Sequence, residues 1–429
     1  MKSTLLYIAL GLPAILTTAA GLAAQNTKSQ PLHYNIIDLG TLGGEFSIAF
    51  DIDNAGRVTG SAGVAGGNHH AFLWDRGKMT DLGTLGGLDS GAGGKAGRRE
   101  FSVVGETADT DPLAENFCGF NTGLVCRAAM WRNGTMSPPL TTLGGNNAAA
   151  FTLNSQGQLV GVAEDGVKDN SCVPPQKNHF QAATWVGDLI QPLAPLPGDQ
   201  VGIALRNNDR GQVVGTSGLC SNTIYGGFGI GPHAVLWDHG KPIRVDDQNN
   251  DLGIVAVAAA INNRTEVFGG ALYPDGKAHA FRWTRSTGAQ DLGVLSSDPA
   301  DAANTPFDVN DSGQMVGASC DAQMSFCRGY VWQNGSYTDL NTLIPADAHL
   351  HVLLPLAINA AGQIVGLALD TNTFAAHAFL ATPNEDGRET DQGLTQTLNR
   401  PKVLPDSIRK LLRQRIRFGR TEVDSPARR

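Results

Sequence analysis

The chain of 429 residues carries a formal net charge of −8 and an isoelectric point near 5.7, a balance that argues against nucleic acid as a partner. With 53 glycines and only 17% charged residues it reads as a turn-dense all-β protein, which excludes a disordered polyelectrolyte.

Residues 1–24 read as an export signal. Lys2 supplies a short positive region, residues 5–16 are apolar, and Gly21, Ala23 and Ala24 permit cleavage near Ala24–Gln25. The run approaches spanning length, so a retained anchor competes with cleavage; Pro13 and the alanine-rich end favour cleavage. No cysteine follows the apolar run, so a lipoprotein is not expected. The mature protein is expected to be secreted or periplasmic.

Residues 32–383 form a repeat. HAFLW (70–74) returns as RAAMW (127–131), QAATW (181–185), HAVLW (233–237), HAFRW (279–283) and RGYVW (328–332), and the seventh copy, HAFLA (377–381), ends in Ala381. All six tryptophans, Trp74, Trp131, Trp185, Trp237, Trp283 and Trp332, therefore hold one repeat position. A period of roughly 45–60 residues marks an array or a propeller. Upstream of each copy an apolar segment ends in an Asn/Asp-rich turn, followed by a short strand closing on glycine. Examples are FDIDNAGRVTG (50–60), FTLNSQGQLVG (151–161), LRNNDRGQVVG (205–215) and INAAGQIVG (358–366); repeat two keeps only EFSVVG (100–105). Downstream, tight turns such as Asn133-Gly134 and Asn334-Gly335 lead into DLGTLGG (81–87) or a cousin such as DLGVL (291–295).

Each unit thus reads as four short strands. Asn-Gly between β-rich runs is a strong hairpin signal, because a type I′ turn needs positive φ at both central residues. Four-stranded units repeated seven times predict an all-β, seven-bladed β-propeller. The first DLGTLGG (38–44) precedes every HAFLW copy, and the last copy has no DLGTL after it. Residues 34–42 are therefore expected to supply the outer strand of the last blade, closing the ring and removing its open edges.

In combination and in fixed order, these strings resemble the HAF-repeat family, a group of mostly bacterial extracellular repeat proteins. The resemblance covers about residues 32–383. It implies secretion and a propeller-like fold, and it brings no defined catalytic residues. Some members end in an apolar sorting helix, which this C-terminal segment does not resemble, so anchoring by that route is not expected.

Six cysteines in an exported chain predict disulfides. All lie between the second and third strands of a unit. Cys118 with Cys126 and Cys320 with Cys327 bracket single loops, while Cys172 and Cys220 sit singly in the loops of neighbouring repeats and are expected to staple them. Zinc is the competing reading, but no pair has ligand spacing. No metal or cofactor is expected.

Several resemblances to functional motifs have simpler readings. GAGGKAG (91–97) lacks the residues of a phosphate loop and reads as a flexible insertion in the degenerate repeat. His70, His233, His279 and His377 share one repeat position with Arg127, Gln181 and Arg328, which marks a structural hydrogen-bond donor. The Asn/Asp-rich turns offer too few carboxylates for calcium and read as Asx turns.

Function is expected where the copies differ. The long loops 106–126, 162–179 and 216–232 carry Phe117, Phe120, Tyr225 and Phe228, together with Glu106, Asp109, Asp111, Glu115, Glu164, Asp165 and Asp169. Variable loops on a rigid scaffold are where binding concentrates. Asp109, Asp111, Glu115, Glu164 and Asp165 are the candidate ligand-binding residues, forming an acidic rim for a cation or basic partner. The favoured reading is a monomeric, non-catalytic binding module for an unknown protein or glycan. The alternative is a propeller enzyme acting on glycans through paired carboxylates, with Asp111 and Asp165 as candidates.

Residues 384–429 form a basic tail. Asp406-Ser407 can cap a short amphipathic helix presenting Ile408, Leu411, Leu412 and Ile416, the one segment suited to touch a membrane or the acidic propeller; a frayed tail is the competing reading.

Overall fold

The computed structural model describes residues 33–94, 100–225, 230–246, 255–298, 301–322, 325–384, 404, 406, 408 and 409. The expected export signal, Phe228 and most of the basic tail lie outside these residues. Among the described residues no helix is long and apolar enough to cross a membrane.

The fold is all-β. After β1 (His33–Asp38), the strands form consecutive four-stranded antiparallel meanders. Sheet one holds β2 (Gly43–Ile52), β3 (Val58–Val64), β4 (His69–Asp75) and β5 (Lys78–Gly83). Sheet two holds β6 (Ser90–Gly93), β7 (Glu100–Thr110), β8 (Leu124–Arg132) and β9 (Thr135–Met136). Sheet three holds β10 (Ala148–Leu153), β11 (Gln158–Lys168), β12 (Asn178–Val186) and β13 (Leu189–Pro192). Sheet four holds β14 (Val201–Asn207), β15 (Val213–Gly218), β16 (His233–Asp238) and β17 (Lys241–Arg244). Sheet five holds β18 (Ala256–Ile261), β19 (Val267–Leu272), β20 (Ala278–Thr284) and β21 (Gly288–Gly293). Sheet six holds β22 (Ala303–Val309), β23 (Met315–Cys320), β24 (Cys327–Gln333) and β25 (Ser336–Asp339). Sheet seven holds β26 (Leu350–Ile358), β27 (Ile364–Asp370) and β28 (Ala376–Asn384).

The fourth strand of sheet seven is β1. It pairs antiparallel with β28, from His33 opposite Asn384 to Asp38 opposite Phe379. The expected pairing of the N-terminal segment is present, but the strand stops at Asp38, where its carboxylate accepts the Gly40 N–H at 2.7 Å and turns the chain. Single parallel bridges, Phe46 to Ala376 and Ala278 to Ala303, join sheet seven to sheet one and sheet five to sheet six, and among the described residues no sheet closes on itself.

The Asn-rich turns explain how neighbouring sheets are held. Asn154 Oδ1 accepts the N–H groups of Gln156 and Gln158, at 3.1 and 2.9 Å, so the side chain shapes its own turn. Its Nδ2 donates to Asn208 O in the next unit at 3.0 Å. The relay continues from Asn208 to Asn262, Asn262 to Asn310, Asn310 to Asn359, and Asn359 to Asp53 in sheet one. In five of the turns one residue type both caps the turn and satisfies a buried carbonyl of its neighbour, which is why asparagine recurs there, while Asp53 caps the turn of sheet one.

The tryptophans pack where sheets meet. Trp74, Trp185, Trp237, Trp283 and Trp332 are buried, and Trp131 is half-buried against Phe101. Trp185 and Trp237 donate their indole N–H to the carbonyls of Thr141 and Ala194, in the connections that precede their own sheets. All six cysteines are bonded as expected: Cys118–Cys126, Cys172–Cys220 and Cys320–Cys327. Two histidines of the HAFLW strands meet aspartates of the following DLG segments, His70 with Asp81 at 2.9 Å and His279 with Asp291 at 3.0 Å, while His233 lies 3.5 Å from Asp199, which precedes its strand.

One expectation is corrected. Residues 91–93 are not a flexible insertion but part of β6, the first strand of sheet two. Glycine is needed there for close approach: a Cβ at Gly93 would stand 2.7 Å from Phe151 O, and one at Gly91 3.1 Å from the Phe50 ring. Residues 95–97 of that motif lie outside the described residues. In the tail, Leu404 and Ile408 are buried in the apolar cluster that includes Leu353 and Leu369, while Asp406, Ile408 and Arg409 are helical.

Candidate functional site

Six of the seven first strands break their ladder at the same repeat position. The register shifts between Ala49 and Asp51, Ala150 and Thr152, Ala204 and Arg206, Ala258 and Ala260, Pro306 and Asp308, and Pro355 and Ala357. Each bulge leaves one residue outside the pairing: Phe50, Phe151, Leu205, Ala259, Phe307 or Leu356. A bulge re-aims a side chain that strict alternation would have sent elsewhere. Here all six skipped residues line one cavity of about 170 Å³. Sheet two, with no bulge in its β6 ladder, contributes Gly91, Ala92 and Gly93.

The cavity is walled by Phe50, Phe151, Phe307, Leu205, Val257 and Leu356. Space is left because sheet two brings glycines and sheet five brings Ala259 where other sheets place Phe or Leu. The long loops complete the lining with Cys118, Phe120, Tyr225 and Ile230. Tyr225 packs against Phe117 with ring centroids 4.3 Å apart and also touches Phe151 and Phe180. Disulfides Cys118–Cys126 and Cys172–Cys220 belong to the same apolar cluster, so the loops of sheets two, three and four are fixed against one another.

Among the described residues lining the cavity, one carries a charge. Arg206 Nη1 donates to Asp51 Oδ2 at 3.2 Å, from sheet four to sheet one, and Nη2 donates to Leu356 O in sheet seven at 3.3 Å. Asp51 is buried, and a buried charge needs such a partner. The Thr305 hydroxyl, on the lining of sheet six, is buried and finds no partner among the described residues.

The acids singled out from the sequence divide into two groups. Asp109 is exposed and Asp165 partly so, whereas Asp111, Glu115 and Glu164 are buried. The three do not form a solvent-facing rim. Glu115 Oε1 accepts the N–H groups of Lys177 and Asn178 at 2.6 and 2.7 Å. Glu164 Oε2 accepts those of Asn146 and Asn147 at 3.1 and 3.0 Å. Gln176 Nε2 bridges the two carboxyls, at 3.3 Å from Glu115 Oε1 and 3.0 Å from Glu164 Oε1. Asn147 Nδ2 joins Asp111 to Glu164 at 3.2 Å each. Burial, followed by the adjacent Glu164 carboxyl, pushes Glu115 up to about 8. Glu106 is also raised by burial, against the hydrogen bond from Thr122. The Asp169, Cys172 and Cys220 side chains cluster closely, but both sulfurs are in a disulfide and offer no thiolate to a metal.

Sequence reasoning therefore found two cavity-lining loop aromatics, Phe120 and Tyr225, and missed the bulge residues. Their signal is visible in retrospect: each lies three residues before the Asp or Asn that opens the turn, as in Phe50 before Asp53 and Phe307 before Asn310. A bulge breaks the period of two, so alternation could not assign these side chains to a face.

No family model matches the chain, and no curated protein sequence does. Several solved structures align with the chain. The β-propeller domain of the Trilobed protease from Pyrococcus furiosus aligns over 83% of this chain and 94% of its own, with 10% identity and a TM-score of 0.45. TolB from Acinetobacter baumannii aligns over 78% and 65%, with 11% identity and a TM-score of 0.39. The BP39L lectin from Burkholderia pseudomallei aligns over 77% and 94%, with 10% identity and a TM-score of 0.39. At this identity and overlap the likeness says nothing about activity.

Proposed function

We propose that this chain is an exported seven-bladed β-propeller of the HAF-repeat type, closed by its N-terminal strand, that binds a small molecule at its centre without transforming it. Closure is supported by the pairing of β1 with β28 and by the Asn359 relay into Asp53. Export is supported by three disulfides, which persist in oxidising compartments.

The observation that carries the binding reading is the cavity itself. First strands of all seven sheets line it, six through a bulge, and disulfide-held loops add Cys118, Phe120, Tyr225 and Ile230. Concave, mostly apolar sites with few polar groups are the usual form of a small-molecule site. General acid–base chemistry most often uses a histidine or a carboxylate at the reacting atom; the described residues lining the cavity include neither, and its guanidinium is already paired with Asp51. The glycan-hydrolase alternative finds its adjacent acids in Glu115 and Glu164 rather than in Asp111 and Asp165. Both are buried and held by main-chain N–H groups, an arrangement that favours a structural role.

A thermal-shift screen of the mature protein against a diverse small-molecule set tests this, because a ligand of the folded state raises Tm by mass action. Ala259→Phe restores at sheet five the residue that sheets one, three and six already carry, and so fills the cavity on a backbone suited to it. Hits should shift the wild type and not the variant. Hits that shift both equally, or no hits, would refute the reading.

A further inference from the structure

The geometry points to a neutral molecule built on one aromatic ring and carrying a single hydroxyl or carbonyl group as the ligand of the central cavity. This rests on the binding reading above and specifies its chemistry.

Size comes first. A dry apolar cavity of about 150 Å³ is known to hold benzene, and the volume here is about 170 Å³. One six-membered ring with a small substituent fills it. Shape agrees, because Phe50, Phe151, Phe307 and Tyr225 offer flat faces and edges to a ring, the arrangement aromatic pairs favour.

Polarity narrows the class further. Three hydroxyl or guanidinium groups other than that of Tyr225 border the cavity. Ser61 Oγ donates to Ser90 O at 2.8 Å. Arg206 is held by Asp51 and Leu356 O. Thr305 Oγ1 is buried and has no partner among the described residues, which sets it apart from the Ser61 hydroxyl and the Arg206 guanidinium. A ligand with one hydroxyl or carbonyl satisfies it. A hexose of similar size brings several hydroxyls, and each left without a partner costs about five- to a hundredfold in affinity. An anionic ligand gains little, since Arg206 is neutralised by the buried Asp51 carboxylate, which would repel a second one.

Calorimetric titration with p-cresol, toluene, glucose and benzoate, on the wild type, Thr305→Val and Ala259→Phe, tests the assignment. Thr305→Val keeps shape and removes only the hydroxyl. p-Cresol should bind the wild type about two- to tenfold more tightly than toluene, the worth of one neutral hydrogen bond. Thr305→Val should bring p-cresol down to the affinity of toluene, and Ala259→Phe, folded by circular dichroism, should bind neither. Glucose or benzoate binding more tightly than p-cresol, and lost in Ala259→Phe, would overturn the class while leaving the cavity as the site. p-Cresol binding that survives Ala259→Phe would overturn the proposal, and so would failure of all four probes, with the wider screen then judging the binding reading separately.

Discussion

His377 Nδ1 lies 2.8 Å from Asp38 Oδ2, although 339 residues separate them in the chain. The same pair forms within single units at His70 with Asp81 and at His279 with Asp291. The last HAFLW-type strand therefore takes its aspartate from the first DLG segment, as β1 takes its place beside β28. The repeat is completed by chain ends rather than by neighbouring residues.

This pair predicts a pH signature. The hydrogen bond that His377 donates to Asp38, against the effect of burial, raises the histidine pKa. Burial opposes the charge on Asp38, but the His377 contact and the Gly40 N–H outweigh it and lower its pKa. The histidine contribution is present below its unfolded value, about 6.5, and is lost as pH rises through the raised folded value. The aspartate contribution is present above its unfolded value, about 3.9, and is lost as pH falls through the lowered folded value. The Tm difference between wild type and Asp38→Asn should therefore peak near about pH 5–6 and shrink on both sides. A difference independent of pH would contradict the pairing.

Glu115 should act with the opposite slope. Its raised pKa means that the folded chain keeps a proton that the unfolded chain releases, between the ordinary glutamate range and about 8. Stability should fall as pH rises through that window. The groups around it are Glu164, Asp111 through Asn147, the Lys177 and Asn178 main chain, and Arg127, which interacts electrostatically with Glu164. Glu115→Gln keeps the carbonyl acceptor and removes the titration, so its Tm should decline less than that of the wild type between about pH 5 and pH 9. Parallel curves for the two proteins would contradict the raised Glu115 pKa.

Trp237 is fully buried and donates to Ala194 O at 2.6 Å. Trp237→Ala should cost about 3–5 kcal/mol in chemical denaturation. Trp131→Ala, at a half-buried position, should cost less. Equal losses would show that burial between sheets is not what sets the value.

The cystine between Cys172 and Cys220 closes a sequence separation of 48 residues, against 8 and 7 for the other two. Loop entropy then ranks it first, at about 4 kcal/mol against about 2.5 kcal/mol for each short clasp. Replacing both cysteines of a pair by serine and comparing unfolding midpoints checks the order; a short clasp that matters more would point to native-state strain instead.

The repeat made much of this architecture legible. Strand order, the disulfide pairing and the N-terminal strand follow from motifs that return in fixed order, because each copy must bury the same face against its neighbour. Sheet two escaped, since Gly91 and Gly93 carry no apolar pattern and their role is close approach to Phe50 and Phe151. The acids were read as exposed because charge usually is. Main-chain N–H groups, supplied by loops whose course no pattern reveals, allow Glu115 and Glu164 to be buried. The bulge residues were hidden for a different reason: a one-residue irregularity changes which way a side chain points without changing composition.

The most direct test of a central binding site is a crystal of the mature protein soaked with p-cresol or the best hit of the screen. Ligand density is expected among Phe50, Phe151 and Phe307, with a polar atom at hydrogen-bond distance from Thr305 Oγ1. Ligand seated instead on the outer sheets or the exposed loop tips, with the centre empty, would contradict it.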